Sequence, residues 1–261
     1  MFLIYTGLAF SNNLSIGGNA RLSGAGFSKV AITNDNASLL ANPASVGVAP
    51  FMFSMARSEL FGLGIFYNYF EGSVFKQQWR FGFSFESIKD QDLLDNSGYY
   101  QQLLTIGIAR RLNNLQVGVN VRGTEYKLLD EPMGTGKAID LGLKVGPLQL
   151  ERWEVNTGLK IDNVLSSKQF ESGREENPET KYTFGVSMGR DNKLFSIDLG
   201  SDGFSCGFEY DVLEALALRA GIVEGQPTIG IGLKQGYLQI DYAFWLANAG
   251  VTHRVGTTLV F

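Results

Sequence analysis

The chain has 261 residues, 44% of them hydrophobic and only 18% charged, with a formal net charge of −4. No run approaches the ~20 apolar residues of a spanning helix, and the acidic balance gives no electrostatic footprint for nucleic acid. The single cysteine, Cys206, and the single histidine, His253, exclude an internal disulfide, a multi-histidine metal site and most histidine-dependent catalysis.

In chain order, a short apolar run ends at Ala9-Phe10-Ser11, which has the small-x-small spacing of a signal-peptidase site. No Lys or Arg precedes it, so residues 1–11 read either as a truncated export signal, the favoured reading, or as a first apolar segment. Residues 12–50 then contain Ala20–Ala44, a stretch rich in Gly, Ala, Ser and Asn that does not alternate, with Pro43 blocking a long helix. Asn34-Asp35-Asn36-Ala37-Ser38 suits the start of one helical turn, with Asn34 or Asp35 as N-cap and Pro43 just beyond its end. Asn34, Asp35, Asn36, Asn42 and Pro43 are therefore the candidate residues of a hatch or gate.

Residues 51–261 alternate with period two almost throughout. Breakers divide them into fourteen predicted strands: Phe51–Arg57, Leu60–Tyr69, Lys76–Glu86, Tyr100–Arg111, Asn114–Lys127, Lys137–Gly146, Glu151–Asp162, Thr180–Arg190, Lys193–Gly200, Gly203–Tyr210, Ala215–Val223, Thr228–Lys234, Tyr237–Leu246 and Val251–Phe261. In the fifth, Leu115, Val117, Val119 and Val121 share one face, and Gln116, Gly118, Asn120 and Arg122 the other.

A soluble sandwich and a membrane barrel both produce such alternation. The less apolar faces separate them. They carry Gly82, Gly107, Gly118, Gly142, Gly158, Gly185, Gly207, Gly221, Gly232 and Gly256. Glycine weakens a solvent-facing strand, whereas inside a barrel it leaves room for a plug and permits coiling. The longer connections, Ser87–Tyr99, Leu128–Gly136 and Asn163–Glu179, all fall at one end, and tight links such as Leu112-Asn113 and Gln235-Gly236 fall at the other. Short turns at one end and longer loops at the other are the outer-membrane pattern. The expected fold is an all-β, 14-stranded antiparallel transmembrane barrel with a small N-terminal hatch in its lumen.

The same faces point a mixed set of charges into the lumen, chief among them Arg80, Arg122, Asp140, Glu209, Arg219, Asp241 and Arg254. Charges held away from bulk water need partners, so these are expected to pair and hold the hatch. Glu209 and Arg219, on neighbouring strands joined by a short link, are one expected pair. The loop Asn163–Glu179, with Glu171, Glu175, Glu176 and Glu179, reads as a solvated loop. Gly134-Thr135-Gly136-Lys137 is not a phosphate loop, because Glu131 stands where the first glycine is required. His253 lacks a nucleophile and an orienting acid and reads as structural or interfacial. No enzymatic activity, cofactor or metal site is expected.

Ala20-Arg21, Gly24-Ala25-Gly26, Asp35-Asn36-Ala37-Ser38 and Asn42-Pro43-Ala44 resemble the N-terminal signature of the PorV/PorQ family, a branch of the FadL-like outer-membrane barrels. Gly207-Phe208-Glu209-Tyr210 with Leu218-Arg219-Ala220-Gly221, then Asp241-Tyr242-Ala243-Phe244 with Thr252-His253-Arg254, resemble the family's ending. The resemblance implies a fourteen-stranded barrel in the outer membrane of a Gram-negative-type bacterium, surrounded by outer-membrane lipid. It also implies a non-enzymatic accessory of protein secretion or surface attachment, with secretion-system components or exported proteins as partners. The wider FadL-like resemblance implies instead a channel for a hydrophobic small-molecule ligand.

Overall fold

The computed structural model describes residues 17–32, 38–45, 49–90, 98–129 and 131–261. The expected export signal and the expected cap Asn34-Asp35-Asn36 lie outside them. Fourteen strands form the wall: β1 (Phe51–Leu60), β2 (Ile65–Lys76), β3 (Trp79–Asp90), β4 (Tyr99–Leu112), β5 (Leu115–Leu128), β6 (Glu131–Leu150), β7 (Trp153–Phe170), β8 (Lys181–Arg190), β9 (Lys193–Gly200), β10 (Gly203–Leu213), β11 (Leu216–Val223), β12 (Gln226–Gln235), β13 (Leu238–Ala247) and β14 (Gly250–Val260). Each pairs antiparallel with its chain neighbour. The ring closes where β14 meets β1, with Met52 opposite Val260 and Glu59 opposite His253. A two-residue strand, Glu175–Glu176, pairs only with the outer part of β7. Closure removes the unpaired edges that an open sheet leaves exposed.

Period-two alternation sends one face of every strand outward. Ile106, Val121, Phe184, Leu199, Ile229 and Val255 are exposed on that outer wall, Ile106 by 61%. Such an apolar band is stable against lipid and costly against water. At the end where Phe51 starts and Phe261 finishes, a girdle of rings marks the band's edge. Phe261 packs on Phe51 and Tyr237, Trp153 on Phe195, and Arg110 and Arg190 lie over Trp79 and Trp153. Amphipathic rings with basic neighbours suit the membrane interface.

The strand ends that flank the three longer connections lie together at the opposite, loop end, as expected, but the strands run further into them than the sequence suggested. Leu128–Gly136 is not a loop: β6 begins at Glu131, and Gly134 and Gly136 stand in the ladder opposite Phe170 and Lys168. Glycine reads as a breaker in the sequence, yet pairing on both sides holds it in the strand. The outer parts of β5, β6 and β7 thus form a tongue that overhangs β8, which starts opposite Asp162. Similarly, β2 begins at Ile65 rather than Leu60. Phe61, Gly62 and Gly64 take φ values of 60°, 65° and 70°, and this left-handed turn separates β1 from β2.

Inside the ring lies the hatch. Its described residues include two short helices, α1 (Ala20–Gly24) and α2 (Ser38–Ala41). Asn19 caps α1, its Oδ1 accepting from the Leu22 amide at 3.1 Å. At the second helix, Pro43 follows the last residue by two, where no further turn can form. Phe27 stacks edge-on against Trp245 with centroids 5.6 Å apart, and Phe61 meets the same indole at 5.7 Å. This cluster, with Leu60, Ile65 and Tyr67, is the apolar core where hatch meets wall.

Candidate functional site

The hatch sits in a girdle of glycines at mid-wall. A Cβ at Gly256 would lie 3.3 Å from Ala20 Cβ, and one at Gly230 would press on Gly24. Further round, Gly207 and Gly221 face Ala25 and Gly26, and Gly158 and Gly185 face Val30. Gly142 faces Asn42 and Ala44, Gly118 faces Pro43, and Gly82 and Gly107 face Leu39. Cross-strand pairing sets these residues side by side: Gly82 with Gly107, Gly118 with Gly142, Gly158 with Gly185, and Gly207 with Gly221. The inward glycines read from the sequence therefore hold the volume of the hatch. Gly232 is the exception, since it faces Arg219 and Asp241 instead.

Polar side chains of the wall fasten the hatch backbone. Asp198 accepts from the Lys29 and Val30 amides at 2.7 and 3.0 Å. Thr228 accepts from Gly26 N at 3.0 Å and donates to Gly24 O at 3.1 Å. Asn120 donates to Leu39 O at 2.8 Å, and Lys160 to Leu40 O at 3.1 Å. Lys144 donates to Ile32 O and Ser45 Oγ. Buried backbone groups outside regular structure need such partners. Asn42 works in the other direction. Its Nδ2 reaches Val30 O at 2.9 Å and the wall carbonyls Leu143 O and Leu159 O at 3.3 Å, while its Oδ1 accepts from Ala44 N.

The inward charges read from the sequence divide into four groups. Glu209 and Arg219 face one another across β10 and β11 and are ion-paired. Arg219 continues to Asp241 at 2.7 Å, and Arg21 of the hatch joins at Glu209. Arg80 pairs with Glu71 at 2.6 Å and reaches Ser45 O of the hatch at 2.5 Å. Arg254 donates to Gly18 O at 3.0 Å and lies over the Tyr67 ring. Arg122 pairs with Asp140 at 2.6 Å and bonds Asn163, so this group braces the wall at the start of the tongue. His253 is on the outer wall, hydrogen-bonded through Nδ1 to the Tyr242 hydroxyl at 2.7 Å. Among the described residues no cluster of three or more His, Cys, Asp or Glu could hold a metal.

Sequence reading missed Glu71, Tyr67 and Tyr69. All three point inward from β2 and are fully buried. Tyr69 donates to Glu71, and Tyr67 to Glu86 at 2.8 Å. The signal was hidden because Phe66 and Phe70 make the outer face of β2 aromatic too, so alternation does not tell its faces apart. The roles of Arg21 and Lys29 were missed as well, because a segment without periodicity gives no direction for its side chains.

Above the hatch, toward the loop end, is a cavity of about 240 Å³. Its floor includes Gly17, Phe27, Lys29 and Val30. Its walls carry Glu86, Arg122, Lys160, Asp162 and Asp198, interleaved with Ile88, Leu103 and Val223. Burial, reinforced by the neighbouring Lys160, lowers the Lys29 ammonium to about 8.

The fold has counterparts among solved structures. The toluene transporter TodX of Pseudomonas putida superposes with a TM-score of 0.68 at 12% identity, covering 94% of this chain and 98% of that one. The toluene transporter TbuX of Ralstonia pickettii gives 0.65 at 13% identity, covering 94% and 98%. A Pseudomonas aeruginosa FadL homologue gives 0.61 at 10%, covering 94% and 99%. The fold is the FadL-like outer-membrane barrel. No protein-family model matches the chain, and no curated protein does. The finer PorV/PorQ resemblance thus rests on the quoted motifs alone.

Proposed function

We propose that the protein is an outer-membrane channel for small molecules with substantial apolar surface, closed at rest by its hatch. The observation that carries this reading is a hatch seated in a glycine girdle, beneath a cavity open toward the loop end. The fold is shared with two proteins described as toluene transporters and with a FadL homologue. Passage then requires the hatch to shift, because its backbone is bonded to the wall on every side described. The test is toluene uptake by cells with an intact outer membrane, with and without this chain. Uptake several-fold faster with the chain supports the channel; equal rates in the two strains contradict it.

One observation favours the secretion-accessory reading that the motifs imply. The same fastening that makes the hatch ordered also makes it costly to move. Purification from outer membranes without crosslinking separates the two readings: a stoichiometric protein partner supports the accessory, and a lone barrel carrying a hydrophobic ligand supports the channel.

A further inference from the structure

The cavity above the hatch is more acidic than its fold relatives' cargo would suggest. Five carboxylates line it, Glu86, Asp162, Asp198, Asp202 and Glu224, against three cations, Lys29, Arg122 and Lys160. Two of these charges are already neutralised by residues outside the lining. Asp202 pairs with Lys181 at 2.5 Å, and Arg122 with Asp140 at 2.6 Å. Four carboxylates are left facing two lysines. One lysine, Lys160, is held by Asp162 at 3.0 Å. The other, Lys29, makes a 3.4 Å contact with the Gly17 carbonyl; burial disfavours its charge, and Asp162, Glu86 and Asp198 oppose that effect.

A second observation is independent of the charge balance. Glu86 is 8% exposed; its Oε2 accepts from Tyr67, while among the described residues its Oε1 has no hydrogen-bond partner. An orphaned carboxylate oxygen in a buried site costs free energy that a donor would recover. Beside it the lining is apolar, with Ile88 and Leu103 on adjacent strands and Val223 across the cavity. A low-dielectric cleft of one net sign also concentrates ligands of the opposite sign.

We infer that this cavity is a binding site for a small organic cation, an amine joined to an apolar body. Its ammonium donates to Glu86 Oε1 and its body packs on Ile88, Leu103 and Val223. The volume, below that of a site for a drug-sized ligand, fits one ring or a short chain. The site lies on the path of the proposed channel and rests on that reading only for its role in transport.

The experiment titrates detergent-solubilised protein with three probes of one shape: benzylammonium, benzoate and toluene. Benzylammonium is expected to bind at least tenfold more tightly than either of the others. Glu86→Gln, with barrel closure checked by its heat-dependent gel shift, is expected to lower that affinity about tenfold and leave toluene unchanged. Glu224→Gln, at the exposed mouth, removes one charge without touching the buried network and is expected to weaken benzylammonium two- to threefold. Benzoate or toluene binding as tightly as benzylammonium overturns the inference. So does unchanged benzylammonium affinity in a closed Glu86→Gln barrel or, should that variant not close, in Glu224→Gln. Toluene uptake by cells is a separate readout. If uptake persists without amine preference, only the ligand class fails; if amine binding persists without uptake, only the channel fails.

Discussion

Arg21 of the hatch grips Glu209 of the wall with two prongs, Nε to Oε2 and Nη2 to Oε1, both at 2.9 Å. Glu209 also takes Arg219, so one carboxylate joins the hatch to β10 and β11. Removing the shared member leaves two buried guanidinium groups short of their counter-ion, at a cost of about 3–5 kcal/mol. Glu209→Gln is expected to destabilise the barrel by that amount, read by denaturant unfolding in detergent. Breaking the exposed Arg174–Glu176 pair by Arg174→Ala is expected to change stability by under ~1 kcal/mol.

The glycine girdle makes a positional claim. A Cβ at Gly118 would run into the Pro43 carbonyl, whereas Gly123, five residues along the same strand, has open space before it. Gly118→Val is expected to push the hatch out of its seat and expose Arg21 and Lys29 to trypsin in intact barrels. Gly123→Val is expected to leave the digestion pattern unchanged.

Asn42 ties hatch to hatch and hatch to wall through one amide. Asn42→Ala leaves the Ala44 amide and three carbonyls without that partner, at about 1–3 kcal/mol for a buried group left unsatisfied. The wall itself keeps its ladder, so the loss is expected to be local. Hydrogen exchange around Val30 and Ala44 should speed up while the strands stay protected.

The strands were legible because their physics is repetitive. Alternation marked all fourteen, and the inward glycines marked a wall with room on its lumen side. Leu128–Gly136 was misread because Gly134 and Gly136 look like breakers until pairing with β7 is seen. Glu71 was hidden by the aromatic outer face of β2. In the hatch, Asn42 and Pro43 stood out by type, but their contacts depend on a wall distant in sequence, more than a hundred residues away for Asn42 to Leu143 and Leu159. Nothing local in Ala20–Gly24 announced that Arg21 would turn toward Glu209.

Lys29 sits in the cavity floor with its charged form disfavoured, chiefly by burial and then by Lys160; Asp162, Glu86 and Asp198 oppose the shift. Lowering the value means the proton leaves earlier as pH rises. Competitive labelling with an amine-reactive acyl reagent is expected to show Lys29 reactivity rising with a midpoint near 8, about two units below an ordinary lysine. A midpoint above 10 would show that the ammonium is solvated or firmly paired.

Whether the hatch is the gate of a channel is tested most directly by locking it. Ala20 Cβ lies 3.3 Å from where a Cβ on Gly256 would stand, close to the spacing a disulfide spans. The double variant Ala20→Cys, Gly256→Cys, with Cys206→Ser to remove the native thiol, ties α1 to β14. Toluene uptake through this variant should be abolished when the bond is formed and return on reduction. Equal uptake in the locked and reduced states would contradict a gating hatch.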